Sequence, residues 1–422
     1  MDGRQTTLNS VKNEMKTILS DKMIPFWLEK SVDEKHGGYL TCIDEIGKVS
    51  ADANKMIVTQ TRMLWGFSAL GDFVPAKYAA RMERAAHMGY DFLIKHFWDG
   101  QNGGFRWETA RDGALADGGK LVYAQSFAIY SLSEYFLRHN NPAALEYAEK
   151  TFDLLQIYAA DTLYGGYYEN FESNWVRSAG GIYAGDRKSL DIHMHLMEAF
   201  TVLYKASGKE IHRRKLKEVI GIIVNYMINK ESGYGLNQFD AAFKSLPAIN
   251  IYRTWNFDRE TNEKIDGPAD TTSYGHNVEL SWLLGRACEV LGGIEVKSEE
   301  VTKKLLDHSL LYGYDYEFGG VYRDGIGNES ALVKDKEWWQ NFESMVGYLN
   351  GYIFYNDERY LEAFRLTWEF IKKYFIINEF GESRRLLSRT GTPVISDIGN
   401  AWKGIYHTGR AIAECIGMIE KI

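Results

Sequence analysis

The stretch "SYGHNVELSW", residues 273–282, sets His276, Glu279 and Trp282 at intervals of three. That interval puts all three on one face of a helix. An imidazole and a carboxylate so placed suit half of a metal site, half of an acid–base pair, or a polar helix start. Comparable groups recur along the chain. "TQTRMLW" carries Arg62, "GGKLVYAQSF" carries Lys120, Tyr123 and Gln125, and "LDIHMHLMEAF" carries Asp191, His193 and His195. "EWWQNFESM" carries Trp338, Trp339 and Glu343, and "AWKGIYHTGR" carries Trp402, Lys403, His407 and Arg410. His193 and His195 point about 200° apart on a helix, so only one of them faces a given site. The i, i+4 spacing pairs Asp191 with His195 and leaves His193 a structural role.

Singly, each residue has a plain explanation. First-turn glutamates such as Glu279 and Glu343 favour the helix dipole. Arg62 can snorkel to water, and the tryptophans can fill a core. Gathered in the first turns of several apolar helices, they are harder to explain, because buried ionisable groups cost several kcal/mol unless paired. No HExxH, clustered Cys/His set, P-loop or GxGxxG after a strand is present, so neither metal nor cofactor is expected. Aromatic walls with convergent polar groups suit a sugar. Hydrolysis would require two carboxylates across the scissile bond. Proton transfer at carbon requires two bases of near-neutral pKa and a cation for the anionic intermediate. His276 and His407 with Arg62 fit the second chemistry.

Apolar residues at three and four spacing mark twelve helices, over 8–29, 57–71, 78–97, 120–138, 142–159, 189–206, 209–230, 274–291, 297–313, 338–354, 357–376 and 403–420. Short Gly–aromatic stretches punctuate them, including "HGGYL", "NGGFRW", "YGGYYEN", "SGYGL" and "FGGVYRD". The pattern reads as six hairpins in which the second helix is the more apolar and lies inside. The expected fold is therefore all-α, a closed (α/α)6 barrel with inner and outer rings of six helices, with an open solenoid of helix pairs as the alternative. The barrel forms a single domain over 1–422, and its inner-helix ends converge on one mouth.

Bulk properties agree with an enzyme of this type. The 422 residues are 45% hydrophobic with net charge −8, and no basic stripe suggests nucleic acid as a partner. Cys42, Cys288 and Cys415 are too few and too scattered for a disulfide framework and read as buried structural thiols. The polar N-terminus and the lack of an apolar span lead us to expect no signal peptide, no membrane partner and a cytoplasmic location. A monomer or homodimer is expected.

At these residues the chain resembles the N-acylglucosamine 2-epimerase superfamily, in particular its cellobiose and mannose 2-epimerase branch. The resemblance spans nearly the whole chain. It is carried by "IPFW" (24–27), "TRMLWGFSAL" (61–70), "VYAQSFAIYSLSEY" (122–135), "HMHLMEAF" (193–200), "SYGHNVELSWLL" (273–284), "WWQNFE" (338–343) and "WKGIYHTGR" (402–410). It implies an (α/α)6 barrel and cofactor-free epimerisation at C2 of a reducing-end aldose through a cis-enediolate. It makes His276 and His407 the two bases, Glu279 the residue that tunes His276, and Arg62 the enediolate stabiliser. His195, Trp282, Trp339 and Glu343 would bind sugar; from the polar ring itself, Tyr123, Asp191 and Trp402 are added to the substrate-binding set, with Lys120 a further binding candidate. The chain departs from the cellobiose-type pattern at Asp191, where asparagine is usual, and in "WWQNFE" and "WKGIYHTGR". The connection 246–272 is unusually long, and long connections in compact domains are usually functional. We expect it to cover the mouth and favour D-mannose and D-glucose as substrates. Action on cellobiose or another β-1,4-linked disaccharide, and mannose–fructose isomerisation, are the alternatives.

Overall fold

The computed structural model describes residues 3–254, 271–293 and 296–422. The inner ring comprises α3 (Ile57–Ala69), α5 (Val122–His139), α7 (Leu190–Ser207), α9 (Tyr274–Val290), α11 (Trp338–Tyr355) and α13 (Tyr406–Ile419). The outer ring comprises α1 (Gly3–Thr17), which a π turn joins to α2 (Ile24–Lys30), and α4 (Ala76–Phe92), α6 (Pro142–Leu154), α8 (Glu210–Ile222), α10 (Val296–Tyr312) and α12 (Glu358–Phe370). Residues Ile57 to Ser68 of α3 are all buried, as an inner helix requires. On α4, burial is confined to Met82, Ala85, Ala86, Gly89 and Phe92, the three-and-four spacing of a one-faced helix. Each inner helix packs on the next, and α13 returns to α3, so the (α/α)6 ring is closed. No helix among the described residues is long and apolar enough to cross a membrane.

The order within the hairpins differs from expectation. The tightly packed pairs are α3 with α4, α5 with α6, α7 with α8, α9 with α10 and α11 with α12, so the inner helix comes first. Short connections such as 140–141 make those pairs antiparallel neighbours, whereas the outer-to-inner connections are long. The last inner helix, α13, packs on α1 from the other end of the chain.

The Gly–aromatic stretches form tight hairpins after the outer helices, closed by bridges such as Val32–Tyr39, Trp98–Phe105 and Tyr314–Val321. Gly37 and Gly38 both hold positive φ, and a Cβ on Gly38 would stand 2.8 Å from the Gln60 side chain. That side chain is the reason for the close approach. The Gln60 amide accepts from Tyr39 N at 2.9 Å and donates to Tyr39 O at 2.8 Å. Gln125 grips Phe105 in the same way, and Asn341 grips Val321. His193 Nε2 accepts from Tyr167 N at 3.1 Å, and Asn277 Oδ1 accepts from Gly235 N at 2.9 Å. A buried ion pair secures five of the six turns to the start of the following inner helix. These pairs are Lys55–Asp33, Lys120–Asp99, Lys188–Asp161, Lys336–Asp315 and Lys403–Glu382. The turn before α9 has Asn229 and Thr272 at the corresponding places, and Asn277 Nδ2 donates to Thr272 Oγ1 at 3.0 Å.

Two- and three-residue strands stitch neighbouring repeats at the inner-helix N-termini. Lys55–Met56 pairs with Glu108–Thr109, Lys120–Leu121 with Asn170–Phe171, Lys188–Ser189 with Gln238–Phe239, and Lys336–Glu337 with Leu386–Leu387. Thr271–Ser273 pairs likewise with Asp324–Ile326, and Ile43 bridges to Gly399 across the seam. These links bring the six N-terminal ends together as one mouth. Ser189 and Ser273 cap α7 and α9 by accepting from Ile192 N and His276 N. Cys288 and Cys415 are buried as expected, but Cys42 is only half-buried because it lies in the loop before the seam bridge.

Candidate active site

A cavity of about 690 Å³, counted to its open mouth, lies over these N-termini. Its wall includes Arg62, Tyr123, His195, His276, Glu279, Trp339, Trp402 and His407, all expected from the sequence. It also includes Trp338, Arg323, Glu337, Arg385 and Asn400. Arg62 from α3 donates to Trp402 O at 2.7 Å and to Tyr123 Oη at 2.9 Å, with its guanidinium 4.5 Å from the Phe127 ring centre. Two hydrogen bonds and an aromatic face fix its direction. The Trp339 ring of α11 packs near both histidines, 4.5 Å from the His276 ring and 5.8 Å from the His407 ring.

His407 Nδ1 is 2.7 Å from Glu343 Oε1, which leaves Nε2 as the nitrogen available to a substrate. Burial, reinforced by the charges of Arg62 and Arg410, holds its pKa well below the ordinary histidine value. Burial likewise pushes Glu343 up to about 8, with the Glu279 charge adding to the rise against the pull of Arg410. His195 shows the opposite behaviour. Burial would depress it, but its close contact with the Asp191 carboxylate and its hydrogen bond to Glu198 raise it to about 9, which favours the imidazolium. Asp191 lies 3.3 Å from His195 Nε2 and 3.5 Å from His276 Nε2. It therefore joins the two imidazoles, a part its helix position alone did not reveal.

Beneath the wall, Arg410 donates at 2.6 Å to both Glu279 and Glu343, and also bonds Glu198 and the Tyr406 hydroxyl. Tyr406 Oη donates to Glu198 Oε1 at 2.6 Å, and His195 Nδ1 is 3.0 Å from Glu198 Oε2. Glu198 and Tyr406 are functional neighbours that sequence reasoning missed. The signal was present, since His195 and Glu198 repeat the H-x-x-E spacing of His276 and Glu279. Two such pairs with Glu343 make the donor set of a metal site, and Glu279, Glu343 and His407 do converge. The Arg410 guanidinium already stands between these carboxylates, so the residues fit a cation supplied by the chain itself.

Four sequence assignments change. Trp282 does not line the cavity; it packs under Arg410, 4.9 Å from the guanidinium, because the helix face it shares with His276 turns inward by the second turn. Glu343 is fully buried and reaches the cavity only through His407. Lys120 and Gln125, grouped with the polar ring, serve the Gly–aromatic turn. His193 is structural as expected, with Nδ1 2.7 Å from Ser189 O and its pKa driven down to about 4 by burial. Of the long connection 246–272, residues 255–270 lie outside the described residues. Its first arm crosses two repeats: Tyr252 N donates to Ile182 O at 2.7 Å, and Arg253 pairs with Asp117 at 2.6 Å. Asp117 O accepts from Trp107 N, and the Trp107 ring meets Trp402 on the cavity wall at 5.7 Å.

The N-acylglucosamine 2-epimerase (GlcNAc 2-epimerase) family model matches residues 38–411. The chain is 30% identical over 414 residues to the cellobiose 2-epimerase of Bacteroides fragilis, covering 96% of this chain and 99% of that one. The structure of cellobiose 2-epimerase from Bacillus thermoamylovorans superposes with a TM-score of 0.85 at 26% identity, covering 98% of this chain and 100% of that one. A D-mannose isomerase structure, at 20% identity and a TM-score of 0.80 over 98% of this chain and 97% of that one, shares the fold.

Proposed function

The chain belongs to the N-acylglucosamine 2-epimerase family and is an isomerase of the sugar 2-epimerase class, and we propose that it epimerises C2 of a glucose- or mannose-configured aldose with His276 and His407 as alternating base and acid. The observation that carries this reading is the pair of histidines, from helices α9 and α13, that line one cavity and both pack near Trp339. An open-chain aldose between them presents its C2 hydrogen to one histidine in one epimer and to the other in the second. The first histidine takes the proton. The electron pair moves into the C1–C2 bond, and negative charge collects on the C1 oxygen. Arg62 and the imidazolium of His195 stabilise that oxygen. Rotation about C2–C3 presents the opposite face, and the second histidine, which starts as the imidazolium, returns its proton there, so the two histidines exchange protonation states in each turnover. Glu343 fixes the His407 tautomer, and Asp191 supports the His276 imidazole.

D-mannose and D-glucose are the first substrate pair. The arm ending at Arg253 supports this choice, because it pairs with Asp117 of the hairpin whose Trp107 packs against Trp402 of the cavity wall. The second reading, the reducing end of cellobiose, is favoured by the cellobiose 2-epimerases among the relatives. Incubation with mannose or cellobiose in D2O, followed by NMR, tests both. Deuterium at C2 of the epimeric aldose is expected. Deuterium at C1 of fructose would replace epimerisation by isomerisation, and a clear kcat/KM preference for cellobiose would replace the monosaccharide reading.

A further inference from the structure

At the end of the barrel away from the catalytic mouth, three side chains outside the mechanism converge. Glu83 and His87 lie one turn apart on the exposed side of α4, with His87 Nε2 3.8 Å from Glu83 Oε1. His139, the last residue of α5, brings its ring to 4.9 Å from that of His87. One donor atom from each of the three lies within 4.8 Å of the other two. His87 Nδ1 is 2.5 Å from the Tyr135 hydroxyl, so Nε2 is its free nitrogen. His139 Nε2 is buried and has no hydrogen-bond partner, an unusual state for a buried polar atom. The Tyr135 ring stacks on Tyr90 and packs against both imidazoles, which limits their rotation.

We propose that Glu83, His87 and His139 form a site for a divalent transition metal of the zinc type, joining outer helix α4 to the end of inner helix α5. Two histidines and a carboxylate, with the fourth position left to water, are a regular ligand set for such ions. The Tyr135 hydroxyl supplies the partner that orients one ligand through its other ring nitrogen. The i, i+4 pair on one helix and a third ligand from a second helix give the ion a cross-linking role. The 18 residues of α5 place the site about 27 Å from the mouth, so its occupancy acts on stability rather than on the sugar.

The test is calorimetric titration of chelator-treated full-length protein with zinc chloride, alongside His87→Gln, His139→Gln and the double variant. One equivalent is expected on the parent chain, and each single variant should bind at least about tenfold more weakly. His407→Asn should bind zinc as the parent does, which separates this site from the buried catalytic carboxylates. Cobalt(II) should give the intense visible bands of a four-coordinate site in the parent and not in the double variant. His87 is half exposed, so His87→Gln keeps the fold, which far-UV circular dichroism verifies. Absence of zinc binding by the parent, or unchanged binding by the double variant, would overturn the proposal.

Discussion

His407 is built to be neutral and His195 to be charged, and the pH profile should show both. A base must be unprotonated, and the pKa of His407 is held well below the ordinary value, first by burial and then by Arg62 and Arg410. Lowering the pH through 6.5 therefore leaves it uncharged, and in the direction in which His407 takes the C2 proton kcat/KM should hold where an ordinary histidine base would fail. On the alkaline side, His195 loses its proton near its raised value of about 9, and the cavity loses a cation. Initial rates should fall there, and His195→Gln should abolish that limb while lowering the plateau. A fall centred on pH 6.5 for both epimers as substrate would contradict this assignment of His407.

The two-histidine scheme makes a further demand on individual residues. His276→Asn and His407→Asn should each lower net kcat by about 10²–10⁴. Each should still wash the C2 hydrogen of one epimer, and not the other, into D2O, because one base survives on one face. Loss of exchange from both epimers in both variants would argue against separate faces. Much of this wall could be read from the sequence, since Arg62, Tyr123, His195, His276, Trp339, Trp402 and His407 all lie at or near inner-helix starts. Of Glu198 and Tyr406, only Glu198 carried a signal, the H-x-x-E spacing from His195. They act one layer down, and only the meeting of α7 with α13 on Arg410 reveals their part.

At the scale of elements, the recurring unit is the turn rather than the helix. Five inner helices follow a lysine that reaches back to an acid in the preceding Gly–aromatic turn, and five carry an amide or imidazole that grips the same turn. The lysines recur in the sequence at 55, 120, 188, 336 and 403, but their acidic partners are about 20 residues away in irregular backbone, so no helical or strand period exposes them. The inner-before-outer order was lost for a related reason, because apolarity identifies which helix is inside but not which connection is short. Lys120→Met separates this role from substrate binding. It leaves Asp99 buried beside the remaining, weaker contact with Arg106 at 3.6 Å. The cost should be about 3 kcal/mol in urea unfolding. KM for sugar should be unchanged, because Lys120 does not line the cavity. A raised KM at unaltered stability would return Lys120 to the binding site.

For the whole molecule, closure of the ring depends on contacts between the two ends of the chain. Trp27 Nε1 donates to Glu382 at 2.7 Å, Ile43 N donates to Gly399 O at 2.9 Å, and α1 packs on α13. The closest approach is that of Gly66, in the middle of α3, to Ile405, just before α13. A Cβ on Gly66 would stand 2.2 Å from Ile405 Cγ2. Alanine in mid-helix normally gains about 1 kcal/mol over glycine. Overpacking a buried, stiff β-branched neighbour costs about 1–3 kcal/mol, so Gly66→Ala should be destabilising overall. Ile405→Ala alone opens a cavity and should cost about 2–5 kcal/mol. It also removes the methyl that the new Cβ would strike, so in that background Gly66→Ala should become neutral or stabilising. A double-mutant cycle in urea should therefore show a coupling of about 1–3 kcal/mol between residues 339 positions apart in the chain. Additive effects would mean that the first and last inner helices yield at the seam, and that the ring tolerates a looser closure than its packing implies.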